Sequence, residues 1–301
     1  NDVANGGTVA YSGSSQTITD FGDVDYANLK IMGAGWLSSA ITVAENLTVA
    51  ATGSLGGYQT LSVQKNAEIS GAVGSNVRLE SLSVTGSSSI GADISADYQT
   101  YTGNVTLSSD VSIGGTAITG SSVAFLGTVD GSHALTLSGG YISFAGDVGL
   151  LSPLTSLSVS LNGTDVGGVP EYALSLYGVS VKTSGDQSYS GYVNVCGSDK
   201  SDKTVSGSSS LISTTGDITF GDAVFNDGRD NAALNSLSVT ANAGSVTLAS
   251  SVGTKTNNAL KDVAISAQTV LLSGNITVKT TGTQTYTAAS VTGTGSFTAD
   301  G

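Results

Sequence analysis

Cysteine, histidine, tryptophan and methionine each occur once in 301 residues, and proline occurs twice. Cys196 has no second cysteine to pair with, so a disulfide scaffold is excluded. One Cys and one His cannot supply the four ligands of a zinc site of the usual kind. Cations are scarce: 10 Lys and Arg stand against 23 Asp and Glu, a net charge of -13. Nucleic-acid binding needs a basic surface, which this chain cannot build. Charged residues make up 11%, too few for a coiled coil or long-helix protein. Apolar runs such as Leu150-Leu151 fall far short of the roughly 20 residues of a membrane span, so this segment is not expected to insert into a membrane.

What is abundant is Gly, with 41 residues, and Ser plus Thr, with 84. Such bias can mean disorder. Here 39% of residues are hydrophobic and proline is nearly absent, which points instead to strands of Val, Ile, Leu, Thr and Ser joined by Gly, Asn, Asp and Ser turns. The composition is uniform from end to end, and no linker is visible. The chain opens at Asn1 rather than Met and is uncharged from Thr281 until Asp300. It therefore reads as a processed chain or a piece cut from a longer one.

Period-two alternation recurs throughout. Ser81-Leu82-Ser83-Val84 returns as Ser156-Leu157-Ser158-Val159 and Ser236-Leu237-Ser238-Val239. Each such segment buries one face and exposes the other. The only helix candidates, 232–237 and 257–263, are too short to stand alone. A longer repeat is marked by tyrosines: Tyr11 in Ala-Tyr-Ser-Gly, Tyr101 in Gln99-Thr-Tyr-Thr-Gly, Tyr189 in Gln187-Ser-Tyr-Ser-Gly and Tyr286 in Gln284-Thr-Tyr-Thr-Ala, spaced by 90, 88 and 97 residues. The distance from Ser-Leu-Ser-Val to the next Gln-x-Tyr phrase grows from 19 to 32 to 49 residues along the chain. A stacked solenoid absorbs such insertions, because each coil touches only its neighbours. A sandwich or closed barrel does not.

The expected architecture is all-β: a parallel β-helix, or β-solenoid, over residues 1–301, one rod with internal repeats of about 90 residues near 11–100, 101–188 and 189–285. Coils of roughly 20–25 residues would number about 12–15, a rod ~60–70 Å long. Its open ends need capping, and the charged stretch from Asp20 to Asp25 could blunt one of them.

The string Val123-Ala-Phe-Leu-Gly-Thr-Val-Asp-Gly-Ser-His-Ala-Leu-Thr-Leu137, followed by Tyr141-Ile-Ser-Phe-Ala-Gly-Asp-Val-Gly149 and Leu154-Thr-Ser-Leu-Ser-Val159, resembles the strand repeats of filamentous-haemagglutinin-like and autotransporter-passenger surface adhesins of bacteria. The resemblance covers most of residues 95 to 301. It implies a right-handed β-helix exported to the outer cell surface or beyond, serving as adhesin or stalk. The Asn-Pro-Asn-Gly type phrase of the secretion domain and a C-terminal membrane barrel are not found in the sequence, so the resemblance implies an internal piece of the rod.

Candidates for chemistry are few. A carbohydrate-active β-helix enzyme needs paired carboxylates beside a cation, and the best local match is Asp227-Gly-Arg229-Asp230, which reads equally as a charged turn. His133 has neither a nearby Cys nor a placed acid and reads as structural. Cys196 reads as a buried inert thiol. Calcium is the one cofactor worth considering, with Asp20, Asp23 and Asp25, or Asp217 and Asp222, as oxygen ligands; solvated turn aspartates are the simpler reading. Asn-x-Thr sequons at Asn46, Asn104, Asn162 and Asn275 are no more than this composition yields by chance. Thr-x-Thr doublets suited to an ice-binding face run together only between Thr281 and Thr287 and do not recur once per coil. The tyrosines Tyr101, Tyr189 and Tyr286 are binding candidates as an aromatic row for sugars, against a structural role in which each hydroxyl is satisfied locally. The resulting expectation is a non-enzymatic extracellular β-solenoid. Its partners would be glycans or proteins of a host or neighbouring cell, or further copies of itself. The alternatives are a carbohydrate-active enzyme and an end-to-end filament or surface-layer subunit.

Overall fold

The structure is a computed structural model that describes residues 6–22, 24–115, 121–161, 173–197, 206–226, 235–254 and 259–299. Among the described residues there is no helix, and every strand pairing given is parallel. The fold is a β-solenoid of about 12 turns. It divides into two compact units, Asn1–Gly140 and Tyr141–Gly301. The described parts of the two helix candidates hold none: Ser236, Leu237 and Val263 lie in strands.

In the first unit the coils stack in three ladders, most of them by one short strand for each, while Ile94–Tyr101 serves two. One ladder stacks Val9, Leu29, Leu47, Ala67, Ser88, Val105 and Val129, so that one coil follows another at the short period of a solenoid repeat. A second runs Gly35, Leu55, Val73, Ile94, Ile113 and Leu137. A third runs Val43, Val63, Val84, Tyr101 and Phe125. The alternation does the work foreseen for it: in Thr60–Val63, Leu61 and Val63 are buried while Thr60 and Ser62 face outward. Burying such a side chain contributes about 1.5–3 kcal/mol, repeated at every rung.

The second unit follows the same plan with longer coils. Leu157, Gln187, Ile218, Val246, Val270 and Val291 stack on one another, and the coils between them shorten again toward the end of the chain. Val181, Leu211, Val239, Ile265 and Tyr286 form another ladder. The phrases at Tyr189 and Tyr286 therefore occupy different ladders, so the step between them does not return to one place on the coil. Late coils also turn without a break in the strand: Val263–Thr280 and Gln284–Ala299 pair across a register shift between Leu271 and Asn275.

The corners explain the acidic composition. Where the chain turns, a backbone N–H of the next coil has no facing carbonyl, and an Asn or Asp side chain accepts it. Asn28 Oδ1 accepts from Asn46 N at 3.2 Å, Asn66 from Ser87 at 2.9 Å, Asp93 from Ser112 at 2.7 Å and Asp110 from Ala134 at 2.8 Å. Asp147, Asp186 and Asp217 do the same for Ser180, Asp217 and Ser245. Asp262 takes both the N–H of Thr283, at 2.7 Å, and its hydroxyl, at 2.8 Å.

The backbone N–H of Thr283, and next its hydroxyl, hold the Asp262 carboxyl below its ordinary value of 3.8. A carboxylate with a depressed folded pKa contributes stability that is fully present above the unfolded value and lost as pH falls through the folded one. Urea midpoints should accordingly drop below about pH 4. Asp262→Asn, which keeps an oxygen acceptor without the charge, should show a shallower acid slope than the unaltered chain; matching slopes would refute this role.

Candidate functional site

The tyrosines proposed as a sugar-binding row are not on the surface where the phrase is complete. Tyr101 and Tyr189 are fully buried, and Tyr286 is half-buried. A ring without an open face cannot stack on an external sugar, so for Tyr101 and Tyr189 this reading is corrected. Their hydroxyls donate to the glutamine two residues back: Tyr101 to Gln99 Oε1 at 2.9 Å, Tyr189 to Gln187 at 2.7 Å and Tyr286 to Gln284 at 3.0 Å. Burial pushes these phenols above their usual range. Tyr101 and Tyr189 stack on Phe125 and Phe220 of the next coil, with centroids 5.2 and 5.4 Å apart. Tyr11, which lacks the glutamine, shares a 2.8 Å hydrogen bond with the Tyr26 hydroxyl.

Of the calcium candidates, Asp23 lies outside the described residues, as do Asp227, Arg229 and Asp230. Asp25 is buried, and its oxygens accept the N–H groups of Phe21 at 2.6 Å and Thr42 at 2.7 Å. Desolvation is the main cause that raises the Asp25 carboxyl, while the Gly22 N–H lowers that of exposed Asp20. Both aspartates serve the turn between the first two coils. No group of three metal-ligating side chains occurs among the described residues. Asp217 and Asp222 accept backbone N–H groups at their corners. His133 Nδ1 lies 3.6 Å from Asp110 Oδ1, an exposed pair of little energetic weight. Cys196 is buried.

The most distinctive surface is elsewhere, along one edge of the first unit. In Ala34–Leu37, Gly35 and Leu37 point inward, which turns Trp36 out; the residue is 44% exposed. Its rung neighbour is Gly56. A Cβ on Gly56 would lie 3.2 Å from Val77 O and 4.0 Å from Trp36 Cε3. The missing side chain there leaves the indole a seat. Beside Trp36 runs a groove of about 180 Å³ that crosses successive coils, its polar lining Ser14, Ser15, Gln16, Ser54, Ser75 and Asn76, of which Gln16 accepts the Gly13 N–H.

The chain leaves Gly56 through Gly57, whose φ of 113° needs glycine, into Tyr58. One coil on, Val77 O accepts the Gly57 N–H at 3.2 Å, and Arg78 follows. The Arg78 guanidinium carbon sits 5.1 Å from the Tyr58 ring centre, a cation–π contact. Arg78 Nε donates to Asp97 Oδ1 at 2.6 Å, and the Tyr58 hydroxyl donates to Asp97 Oδ2 at 3.0 Å. Asp97 is buried at the bend of Ile94–Tyr101, where that strand passes from the second ladder to the third. It holds Arg78 above its already high pKa and raises the Tyr58 phenol. Tyr58 and Tyr98 remain 49% and 51% exposed. Trp36, Tyr58, Arg78 and Tyr98 are thus contributed by successive coils, each about one coil length beyond the last.

This arrangement suits binding. Both Asp97 oxygens are engaged, so the carboxylate acts as a clamp that fixes a ring and a guanidinium before any ligand arrives, which removes an ordering cost from association. No family model, curated protein or solved structure matches the chain.

Proposed function

We propose that the chain is a non-enzymatic adhesive stretch of an extracellular β-solenoid of the bacterial outer-surface kind. It meets glycans or proteins of a host or neighbouring cell along the Trp36–Tyr58–Arg78–Tyr98 edge. The observation that carries this reading is the Asp97 clamp. Large rings are left open on successive coils, and a buried carboxylate and a cation hold one of them in place. Tyr, Trp and Arg are the side chains that dominate recognition hot spots.

The test compares the purified chain with a Trp36→Ala, Tyr58→Ala, Tyr98→Ala triple variant on fixed epithelial and bacterial cells and on a printed array of surface glycans. Retention of the unaltered chain and loss of about ten-fold or more in the variant, with unchanged circular dichroism, is the expected result. Equal retention of both, or retention of neither, would overturn the proposal.

A further inference from the structure

The geometry points to the Trp36 groove as a subsite for one uncharged pyranose ring of a linear glycan laid across the coils; this rests on the adhesive reading and names its ligand class. Three observations carry it. First, the groove joins a flat apolar face to small polar groups. The indole of Trp36 is half-open, and the side chains of Ser14, Ser15, Ser54, Ser75 and Asn76 make no hydrogen bond to another described residue. A sugar ring presents the matching surface, an apolar C–H face rimmed by hydroxyls, and aromatic stacking with a few fixed polar contacts is how a concave site orients such a ligand. At about 180 Å³ the groove is smaller than the roughly 300–1,000 Å³ of pockets for drug-sized ligands, so it holds one ring, not a folded oligosaccharide.

Second, the charge is wrong for an acidic sugar. None of the six polar side chains that line it, Gln16 included, is ionisable. The neighbouring cation, Arg78, is already paired with Asp97 at 2.6 Å. The chain carries -13 overall, and a polyanion would approach against that field. Third, the aromatics repeat with the coils. Tyr58 and Tyr98 emerge one and three coils beyond Trp36, each further round the coil: Trp36 pairs with Gly56, two residues before Tyr58, and Tyr98 aligns through Ser81 with Thr60, two residues after it. Coils stack about 4.8 Å apart, close to the length of one sugar residue, so a linear chain crossing the stack obliquely would set one ring in the groove and later rings toward Tyr58 and Tyr98.

Trp36 is the sole tryptophan, so its fluorescence reports this groove alone. The chain is titrated with methyl glucoside, with cellotetraose, maltotetraose and mannotetraose, and with tetragalacturonate as the acidic probe. A saturable change with at least one neutral tetrasaccharide, bound about ten-fold or more tighter than the monosaccharide, is expected from added ring contacts. Asn76→Ala should weaken that binding by about five-fold, the loss of one hydrogen bond, and leave the spectrum of the free protein unchanged. No response to any neutral tetrasaccharide, or a response only to tetragalacturonate, would overturn the inference. If cell or array retention is still lost in the triple variant, the adhesive reading survives while this ligand assignment fails. Loss of neither signal on Asn76→Ala would likewise remove the groove from the site.

Discussion

Replacing Gln187 with alanine is expected to lower stability by about 3–5 kcal/mol, combining an emptied core position with buried groups left unpaired. Gln187 and Tyr189 both point into the core from Gln187–Ser190. The glutamine's Nε2 donates to Ile212 O at 2.8 Å and to Thr183 Oγ1 at 3.2 Å, while its Oε1 accepts the Tyr189 hydroxyl at 2.7 Å. One amide thus joins its own coil, the corner before it and the coil above. Without it, a fully buried phenol loses its acceptor and the Ile212 carbonyl a donor. Tyr189→Phe removes only the hydroxyl and should cost about 1–2 kcal/mol. Urea unfolding of both variants checks the ranking, and a Gln187→Ala loss below that of Tyr189→Phe would sink the account.

Gly71→Ala is the second large effect. Its backbone is not in the left-handed region, so the cause is space, not φ. A Cβ there would lie 2.2 Å from both Ala50 O and Gly53 O. Gly33 and Gly53 stand at the same corner of earlier coils, where a Cβ would meet Gly13 O at 2.1 Å and Ile31 O at 2.5 Å. Coils stacked at backbone hydrogen-bond distance leave no gap for a methyl group at this turn. Forcing one in should cost about 2–4 kcal/mol, at or above the upper range for overpacking. Ser70→Ala next door, on an exposed side chain, should change stability by no more than about 0.5 kcal/mol. Thermal or urea midpoints decide it; a Gly71→Ala variant as stable as Ser70→Ala would show that the corner can open.

Much of this fold is legible in the sequence because a solenoid repeats its physics. Alternation in Thr60–Val63 or Ser156–Leu161 gives strands directly, and Gly, Asn and Asp mark where they end. The coil length read from the repeats suits the first unit, while several coils of the second unit run longer, as the step from Leu157 to Gln187 to Ile218 shows. The Gln-x-Tyr phrase is visible, but period two places Gln and Tyr on the same face as Val and Leu. Only the observed bond from Tyr189 to Gln187 shows how two polar side chains can share that face. Asn and Asp read as turn formers and solubilising charge. Their acceptor role depends on which N–H the next coil brings alongside, and no local pattern reports that. The aromatic edge escapes a sequence reading for a different reason. Tyrosines recurring in similar words draw the eye, whereas Trp36, Tyr58, Arg78 and Tyr98 recur at one coil length in unlike words. A search for large side chains stepping by about 20 residues, the coil length already inferred, finds them.

Across coils, the corner acceptors share one direction. Asp25, Asn28, Asn66, Asp93, Asn104, Asp110, Asp147, Asp186, Asp217 and Asp262 each receive an N–H from a residue in a later coil. Asn235, which accepts from the earlier Gly207, is the exception. Each such coil therefore presents a side-chain oxygen to its successor, and the successor brings the N–H that fills it. The backbone completes these corners in the opposite sense: the N–H groups of Leu29, Leu47, Ala67 and Ser88 donate forward to the carbonyls of Asn46, Asn66, Ser87 and Asn104 in the next coil, so side chain and main chain together lock each pair of turns from both sides.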